Sequence, residues 1–487
     1  MIVRRITVLM FALFWALTAA TMSVAQTPSE TELDRYVNQP DATYKWKVVN
    51  TVKGDGLTTF IVDMTSQTWR TTKDVDRPVW QHWLVISKPD TVKSNKGFVF
   101  IGGGGNGGEP PSGPSEITAQ MAVATSTVVA ELKMIPNQPL VFHNDGVPRK
   151  EDDLIGYCWD QFLKTGDKTW APRLPMVKSV VRAMDTITAL LASDEGGKVT
   201  VDQFVVAGGS KRGWTTWLTG AADKRVVAIV PIVIDVVNVN VSMKHHFAAY
   251  GFWAPSVGDY VHHRIMERMD DPRLKELYDL VDPYSYRERL TMPKYIINAS
   301  GDQFFLPDSS QFYFDDLRGE KQLRYVPNAN HGLKDTDALQ TMTAFYSMIL
   351  SDTPRPKFSW TFEDDGAIRV KSEDKPKEVK LWQATNPAAR DFRVETLGKK
   401  YTPRVLKVDE NGEYVAEVKQ PRKGWTAYFV ELTYDTGSSF PYKATTAVRV
   451  IPDTLPFADK DPTAPVAKST SPPPRRARER AKAGTTK

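Results

Sequence analysis

Five apolar runs, at 97–101, 203–207, 226–234, 294–299 and 322–326, constrain the fold of this chain more than any other feature. Their apolar character is nearly unbroken, which suits parallel strands covered by helices on both faces; a sheet with one wet face would alternate instead. Longer stretches separate them. In one, Met176, Val177, Val180, Val181, Met184, Ile187, Leu190 and Leu191 recur at three- and four-residue spacing, which predicts a helix that Gly196-Gly197 ends. Strand–helix alternation up to about residue 350 therefore predicts an α/β layered domain.

The flanks read differently. Three β-rich runs, at 44–52, 58–68 and 82–88, precede the alternating region as a β-rich N-terminal extension. After Pro354 and Pro356 come short alternating runs at 358–362, 367–370, 379–382, 414–418, 425–433 and 446–451, with no helix-length period. They predict a small antiparallel β-sandwich over 354–456. Residues 457–487 lack a hydrophobic set and are rich in Pro, Ala, Lys and Arg, the composition of a disordered basic tail. At the other end, a basic Met1–Arg5 segment, an apolar run to Ala20, and Ser23 and Ala25 before Gln26 form the three-part plan of a signal peptide. Cleavage near Ala25 is expected, giving a periplasmic or secreted protein with a catalytic region over 26–353. The run is too short for a membrane span, so stable membrane insertion is not expected.

The formal charge of +5 is concentrated at the ends. Residues 459–487 hold eight basic and three acidic residues, and without them and Arg4 and Arg5 the body has 53 basic against 55 acidic residues. A body so balanced excludes a basic nucleic-acid-binding face. The tail, with Arg475, Arg476, Arg478 and Arg480, could make weak, salt-screened contact with anionic envelope surfaces; a passive solvated tail is the alternative. Cys158 is the one cysteine, so no intramolecular disulfide can form, and it reads as a small buried hydrophobe.

The strongest chemical signal is Gly208-Gly209-Ser210-Lys211-Arg212-Gly213-Trp214, at the end of one apolar run. A serine flanked by glycines between strand and helix has the context of a nucleophile elbow, although the usual G-x-S-x-G has its second glycine one place earlier. A glycine-rich turn with an N-capping serine is the competing reading. Downstream, Asp302 and His331 each lie just beyond a strand candidate, so the order serine, acid, histidine matches that of α/β-hydrolases. The imidazole would take the serine proton and return it to the leaving group, with the carboxylate orienting the ring. The Lys211 N–H and the loop carrying Gly103 and Gly104 are the expected oxyanion donors. Asp235, at the end of the 226–234 run, is the alternative acid.

Arg212 or Lys211 could receive a substrate carboxylate, with a structural salt bridge as the alternative. Residues near 240–290 would form a lid, with Trp214 and Trp253 as candidate pocket walls and ordinary core packing as the alternative for Trp214. His245-His246 and His262-His263 lack metal-ligand spacing, so no metal and no cofactor is expected.

The segments Gly156-Tyr-Cys-Trp159-Asp160, Arg173-Leu-Pro-Met176, Arg182-Ala-Met-Asp185, Gly209-Ser-Lys-Arg-Gly-Trp-Thr-Thr-Trp217 and Asn298-Ala-Ser-Gly-Asp302-Gln-Phe-Phe305 resemble those of the PhoPQ-activated pathogenicity-related proteins. That family is in turn similar to the autocrine proliferation repressor of amoebae. The resemblance, over roughly 35–455, implies an α/β-hydrolase fold with a β-rich C-terminal addition and says little about substrate. The elbow is also similar, over a short stretch, to the Ser-Arg elbow of glucuronoyl esterases. The expected activity is hydrolysis of an ester or amide of a small molecule, peptide or polymer through an acyl-enzyme. The alternative is a secreted binding or signalling protein with a hydrolase fold and an unused or reduced triad.

Overall fold

The computed structural model describes residues 30–465. Residues 1–25, the expected signal peptide, and most of the expected basic tail lie outside them. Nine strands run from the N-terminal side to residue 326: β1 (Lys45–Gly54), β2 (Leu57–Thr68), β3 (Val79–Pro89), β4 (Lys96–Ile101), β5 (Val129–Leu132), β6 (Gln203–Gly209), β7 (Val226–Ile232), β8 (Lys294–Ala299) and β9 (Lys321–Val326). β1, β2 and β3 form an antiparallel meander, and β3 pairs antiparallel with β5. From β5 onward the order β5-β4-β6-β7-β8-β9 is parallel throughout. All five apolar runs are thus parallel strands; every residue of β8 is buried. The predicted helix spans Arg173–Ala192, and all eight residues of its apolar pattern are buried. Cys158 is fully buried, and burial pushes its thiol far above its ordinary pKa, so no thiolate forms at neutral pH.

Eight more strands follow: β10 (Phe358–Phe362), β11 (Ile368–Ser372), β12 (Glu378–Asn386), β13 (Thr402–Val405), β14 (Tyr414–Ala416), β15 (Trp425–Tyr434), β16 (Tyr442–Thr445) and β17 (Arg449–Ile451). They make the antiparallel two-layer addition implied by the sequence. β10, β11 and β14 form one layer, whose Ile368 and Val370 share a core with Leu381, Tyr428 and Val430 of the other. The larger layer is not separate from the α/β sheet. β16 pairs with β9 through Thr445 and Leu323, giving one fourteen-stranded sheet. The Tyr325 N–H donates to Thr445 Oγ1 at 3.0 Å, and buried Arg324 pairs with Glu431 across the junction. β9 would otherwise present unpaired backbone groups at an open edge. Nothing in the four residues Tyr442–Thr445 announces that role.

Between β7 and β8 the chain builds a cover that includes the helices Val239–Tyr250, Gly258–His262 and Pro272–Val281. The C-terminal segment straps it down. Leu455 packs on Ala249, Tyr250, Ala254 and Leu306, and the Phe457 N–H donates to Ala248 O at 2.9 Å with its ring against Gly251. The segment from residue 457, whose composition suggested an unstructured tail, is thus docked at its start, because one phenylalanine suffices to dock a polar segment.

Candidate active site

β6, in the middle of the parallel strands, ends at Gly209, and the helix Lys211–Ala222 starts one residue after Ser210. Ser210 itself has φ 57° and ψ −123°, a conformation that non-glycine residues rarely adopt. Such strain costs about 1–3 kcal/mol and persists only where surrounding structure imposes it. Here the crowding imposes it. A Cβ on Gly208 would stand 2.8 Å from the Arg212 backbone, and one on Gly213 would stand 2.8 Å from Gly208 O and 2.9 Å from Ile232 O. The displaced second glycine of the motif is therefore explained: position 213, not 212, faces the ends of β6 and β7. A Cβ on Gly209 would meet nothing within 4 Å.

Asp302 and His331 follow β8 and β9, on the same C-terminal edge as Ser210. His331 Nδ1 lies 2.8 Å from Asp302 Oδ2, and the other carboxylate oxygen accepts the Phe304 N–H at 2.8 Å. An ionised carboxylate only accepts, so the ring proton sits on Nδ1 and Nε2 is left as the base. The His331 backbone N–H donates to Gln303 Oε1 at 3.1 Å, and its ring centroid lies 4.4 Å from that of Phe304. Phe304 and Phe305 line the same small cavity as Ser210. His331 Nε2 is buried with no hydrogen-bond partner among the described residues. Its bond to Ser210 is thus not made in this geometry, as is common before substrate binds.

Asp235 is elsewhere occupied. Its two carboxylate oxygens accept from Tyr313 and Tyr325, each at 2.7 Å, and burial pushes its pKa up to about 7 despite those bonds. Of the two candidate acids, Asp302 is the one on His331.

The two cations beside Ser210 are held in salt bridges, the structural alternative that the sequence left open for them. Arg212 clamps Glu151 with both terminal nitrogens, at 2.9 and 2.8 Å, while its Nε donates to Ile135 O. Lys211 Nζ lies 2.9 Å from Asp152 Oδ2 and 3.1 Å from Glu151 Oε2. Burial pushes the Glu151 carboxyl up, but the bonds and charge of Arg212 and the charge of Lys211 outweigh it and hold it well below the usual range. Arg212 also meets the glycine loop: a Cβ on Gly103 would stand 2.9 Å from Arg212 Nη2. Gly104, at φ 126°, packs on Met134 in a conformation reserved for glycine.

The cavity measures about 50 Å³ and is lined mainly by apolar side chains of the cover and the elbow, among them Trp214, Val239, Met243, Tyr260 and Met266. Trp214 lines the cavity, fixed by its indole N–H to Val281 O at 2.5 Å. Trp253 does not: it stacks on His246 at 5.6 Å, outside the lining. The histidine pairs split as adjacent residues on one element must. His245 meets Asp308 at 3.1 Å and His263 meets Asp153 at 2.7 Å. No three His, Cys, Asp or Glu side chains come together in a metal-binding arrangement among the described residues. Likewise, no described helix is long and apolar enough to cross a membrane.

Sequence reasoning missed three residues at the site: Glu151 and Asp152, which neutralise Lys211 and Arg212, and Arg173, which is fully buried in the lining. Burial pulls the Arg173 guanidinium down to about 10, still charged at neutral pH. These side chains come from the starts of two helices distant from the elbow in sequence, and no local pattern marks them.

The strand order, the elbow on a central parallel strand, and the acid and histidine after later strands define an α/β-hydrolase fold. The chain belongs to the PhoPQ-activated pathogenicity-related protein family, whose model matches residues 33–393. It is similar to autocrine proliferation repressor protein A of Dictyostelium discoideum, 39% identical over 468 residues, covering 90% of this chain and 93% of that protein. Among solved structures it is similar to acetyl xylan esterase 1 from Thermoanaerobacterium sp., at 13% identity and a TM-score of 0.45, covering 65% of this chain and 92% of that one. A second is Pyrococcus horikoshii acylaminoacyl peptidase, at 12% and 0.37, covering 63% and 50%. With TM-scores below 0.5, neither likeness carries an argument about substrate.

Proposed function

We propose that this chain is an exported serine hydrolase acting on an ester or amide bond. The observation that carries the reading is Ser210, held in a strained elbow over a cavity whose Phe304 and Phe305 also pack on a histidine bonded to Asp302. Ser210 Oγ attacks the carbonyl while His331 Nε2 takes its proton and Asp302 supports the imidazolium. The Lys211 N–H lies in the first turn of its helix, where backbone donors have no intrahelical acceptor; with the Gly103 and Gly104 loop it holds the oxyanion. His331 returns the proton to the leaving group, and water then releases the acyl-enzyme. Small molecules, peptides and polymers all offer such bonds, and the C-terminal β layers are a surface on which a polymer could lie. Arg212 contributes by tying the glycine loop to the elbow.

A second reading, a secreted signalling or binding protein with an unused triad, draws on the name of the Dictyostelium relative and on the unmade Ser210–His331 bond. A fluorophosphonate probe separates the two. The hydrolase reading expects labelling that vanishes in Ser210→Ala and slows in His331→Ala; folded wild-type protein that takes no label supports the second reading. Export is tested by fractionation and N-terminal sequencing, with the mature protein expected to begin at Gln26.

A further inference from the structure

Three donor atoms on residues that line the Ser210 cavity have no acceptor among the described residues. Arg173, fully buried, donates from Nη1 to Lys211 O at 3.2 Å, but its Nε and Nη2 bond to nothing among the described residues. The indole N–H of Trp159, in the same lining, is also without a partner. The neighbouring carboxylates Asp152 and Glu151 favour the Arg173 charge at longer range but make no hydrogen bond to it. Asp152 is taken by Lys211 and by the Tyr260 hydroxyl at 3.1 Å, and Glu151 by Arg212. The guanidinium instead rests 4.6 Å from the centre of the Trp214 ring, and it forms no ion pair with any described carboxylate. A buried cation with no counter-ion is strongly unfavourable. Buried polar groups left unpaired call for a partner, and beside a candidate nucleophile a bound anion is one that would supply it. Since every orphan here is a donor, the missing partner is an acceptor, and since one of them is cationic, an anion fits better than water.

We infer that this cavity takes a short acyl group ending in a carboxylate, which Arg173 and Trp159 receive while Ser210 attacks the acyl carbonyl. The inference rests on the hydrolase reading and names its substrate class: esters or amides of short dicarboxylic acids. The cavity is small and mainly apolar, which suits a short acyl chain. Met243 and Ile265 offer apolar contact to the intervening methylenes. In the reaction the Ser210 Oγ–acyl bond forms, the bond to the leaving alcohol or amine breaks, and that group leaves with the proton delivered by His331. Water then hydrolyses the acyl-enzyme and the free dicarboxylate departs. Arg173 and Trp159 are specificity residues in this scheme.

The test compares monoethyl succinate with ethyl 4-methylpentanoate, which carries an isopropyl group in place of the carboxylate. The wild-type protein should favour the acidic ester in kcat/KM by roughly 10–100-fold, the range for charged hydrogen bonds. Arg173→Met should abolish that preference, Arg173→Lys should keep part of it, and Trp159→Phe should reduce it. A merely structural Arg173 would lower both esters together and leave their ratio alone, which overturns the inference, as does a wild-type preference for the neutral ester. Succinate binding to the Ser210→Ala protein, read by calorimetry, needs neither turnover nor a folded Arg173 variant. Binding weakened several-fold by adding Trp159→Phe supports the site; no binding at millimolar succinate, or binding indifferent to Trp159, overturns it. Because that measurement is independent of fluorophosphonate labelling, succinate bound by a protein that never labels refutes the hydrolase reading and leaves the anion site standing.

Discussion

Replacing Gly213 with alanine tests why this elbow departs from the usual glycine spacing. The added methyl would lie 2.8 Å from Gly208 O, 2.9 Å from Ile232 O and 3.0 Å from Ile234 Cγ2. Two of those atoms are backbone at the ends of β6 and β7, and neither can turn aside. Relief requires the start of the helix to move off the sheet by roughly half an ångström, at an overpacking cost of about 1–3 kcal/mol. Alanine recovers up to about 1 kcal/mol of helix propensity, so a net loss of about 1–2 kcal/mol is expected. The same movement carries Ser210 and the Lys211 N–H away from their places. A 1 Å misplacement can cost about 10²-fold in rate, so about tenfold slower fluorophosphonate labelling is expected for half that distance. Thermal melting and labelling rate are measured together, with Gly209→Ala as the control, since its Cβ meets nothing within 4 Å and should leave both near wild type. Gly208→Ala, whose methyl meets the Arg212 backbone at 2.8 Å, should behave like Gly213→Ala. A Gly213→Ala protein that melts and labels as wild type refutes the steric account of the elbow.

Three further outcomes follow from the same geometry. Ser210→Gly should melt higher than Ser210→Ala, by about 1–3 kcal/mol in stability, because only glycine relaxes at φ 57°; equal melting would show that the elbow is unstrained. Asp235 is raised from 3.8 to about 7, so the folded state keeps a proton that the unfolded chain releases. Its contribution to stability, full below about pH 3.8, should fall by up to about 1.4 kcal/mol per pH unit towards pH 7. Asp235→Asn should flatten that fall in denaturant titrations, and parallel curves for the two proteins would exclude the effect. Truncation after Pro465 should leave hydrogen exchange in the helix Val239–Tyr250 unchanged, whereas truncation after Pro456, which removes Phe457, should speed exchange at its C-terminal end; identical exchange in both would mean that the strap does not hold the cover.

The chain's order of elements was legible because it rests on local rules. Buried parallel strands must be apolar on both faces, so the runs at 203–207 and 294–299 announced β6 and β8. The helix from Arg173 followed from a 3.6-residue period, and the positions of Asp302 and His331 just past two strands followed from the strand ends. The resemblance in the Ser-Lys-Arg-Gly-Trp segment agreed with that reading. Helices between β7 and β8 and Trp214 line the Ser210 cavity, whereas Trp253 packs on His246.

What sequence alone determined is therefore what nearest neighbours in the chain dictate: strand, turn, helix and the residue types at their junctions. Tertiary structure alone decided which charges are free. Lys211 and Arg212 are as cationic in the sequence as Arg173, yet Glu151 and Asp152, some sixty residues away, neutralise the first two and leave the third unpaired beside Ser210. It also decided that β16, a four-residue strand, would close the edge of β9 and join the C-terminal layers to the α/β sheet. Pairing of buried charges and closure of sheet edges are settled between segments far apart in the chain, and a pattern read along the sequence contains no term for either.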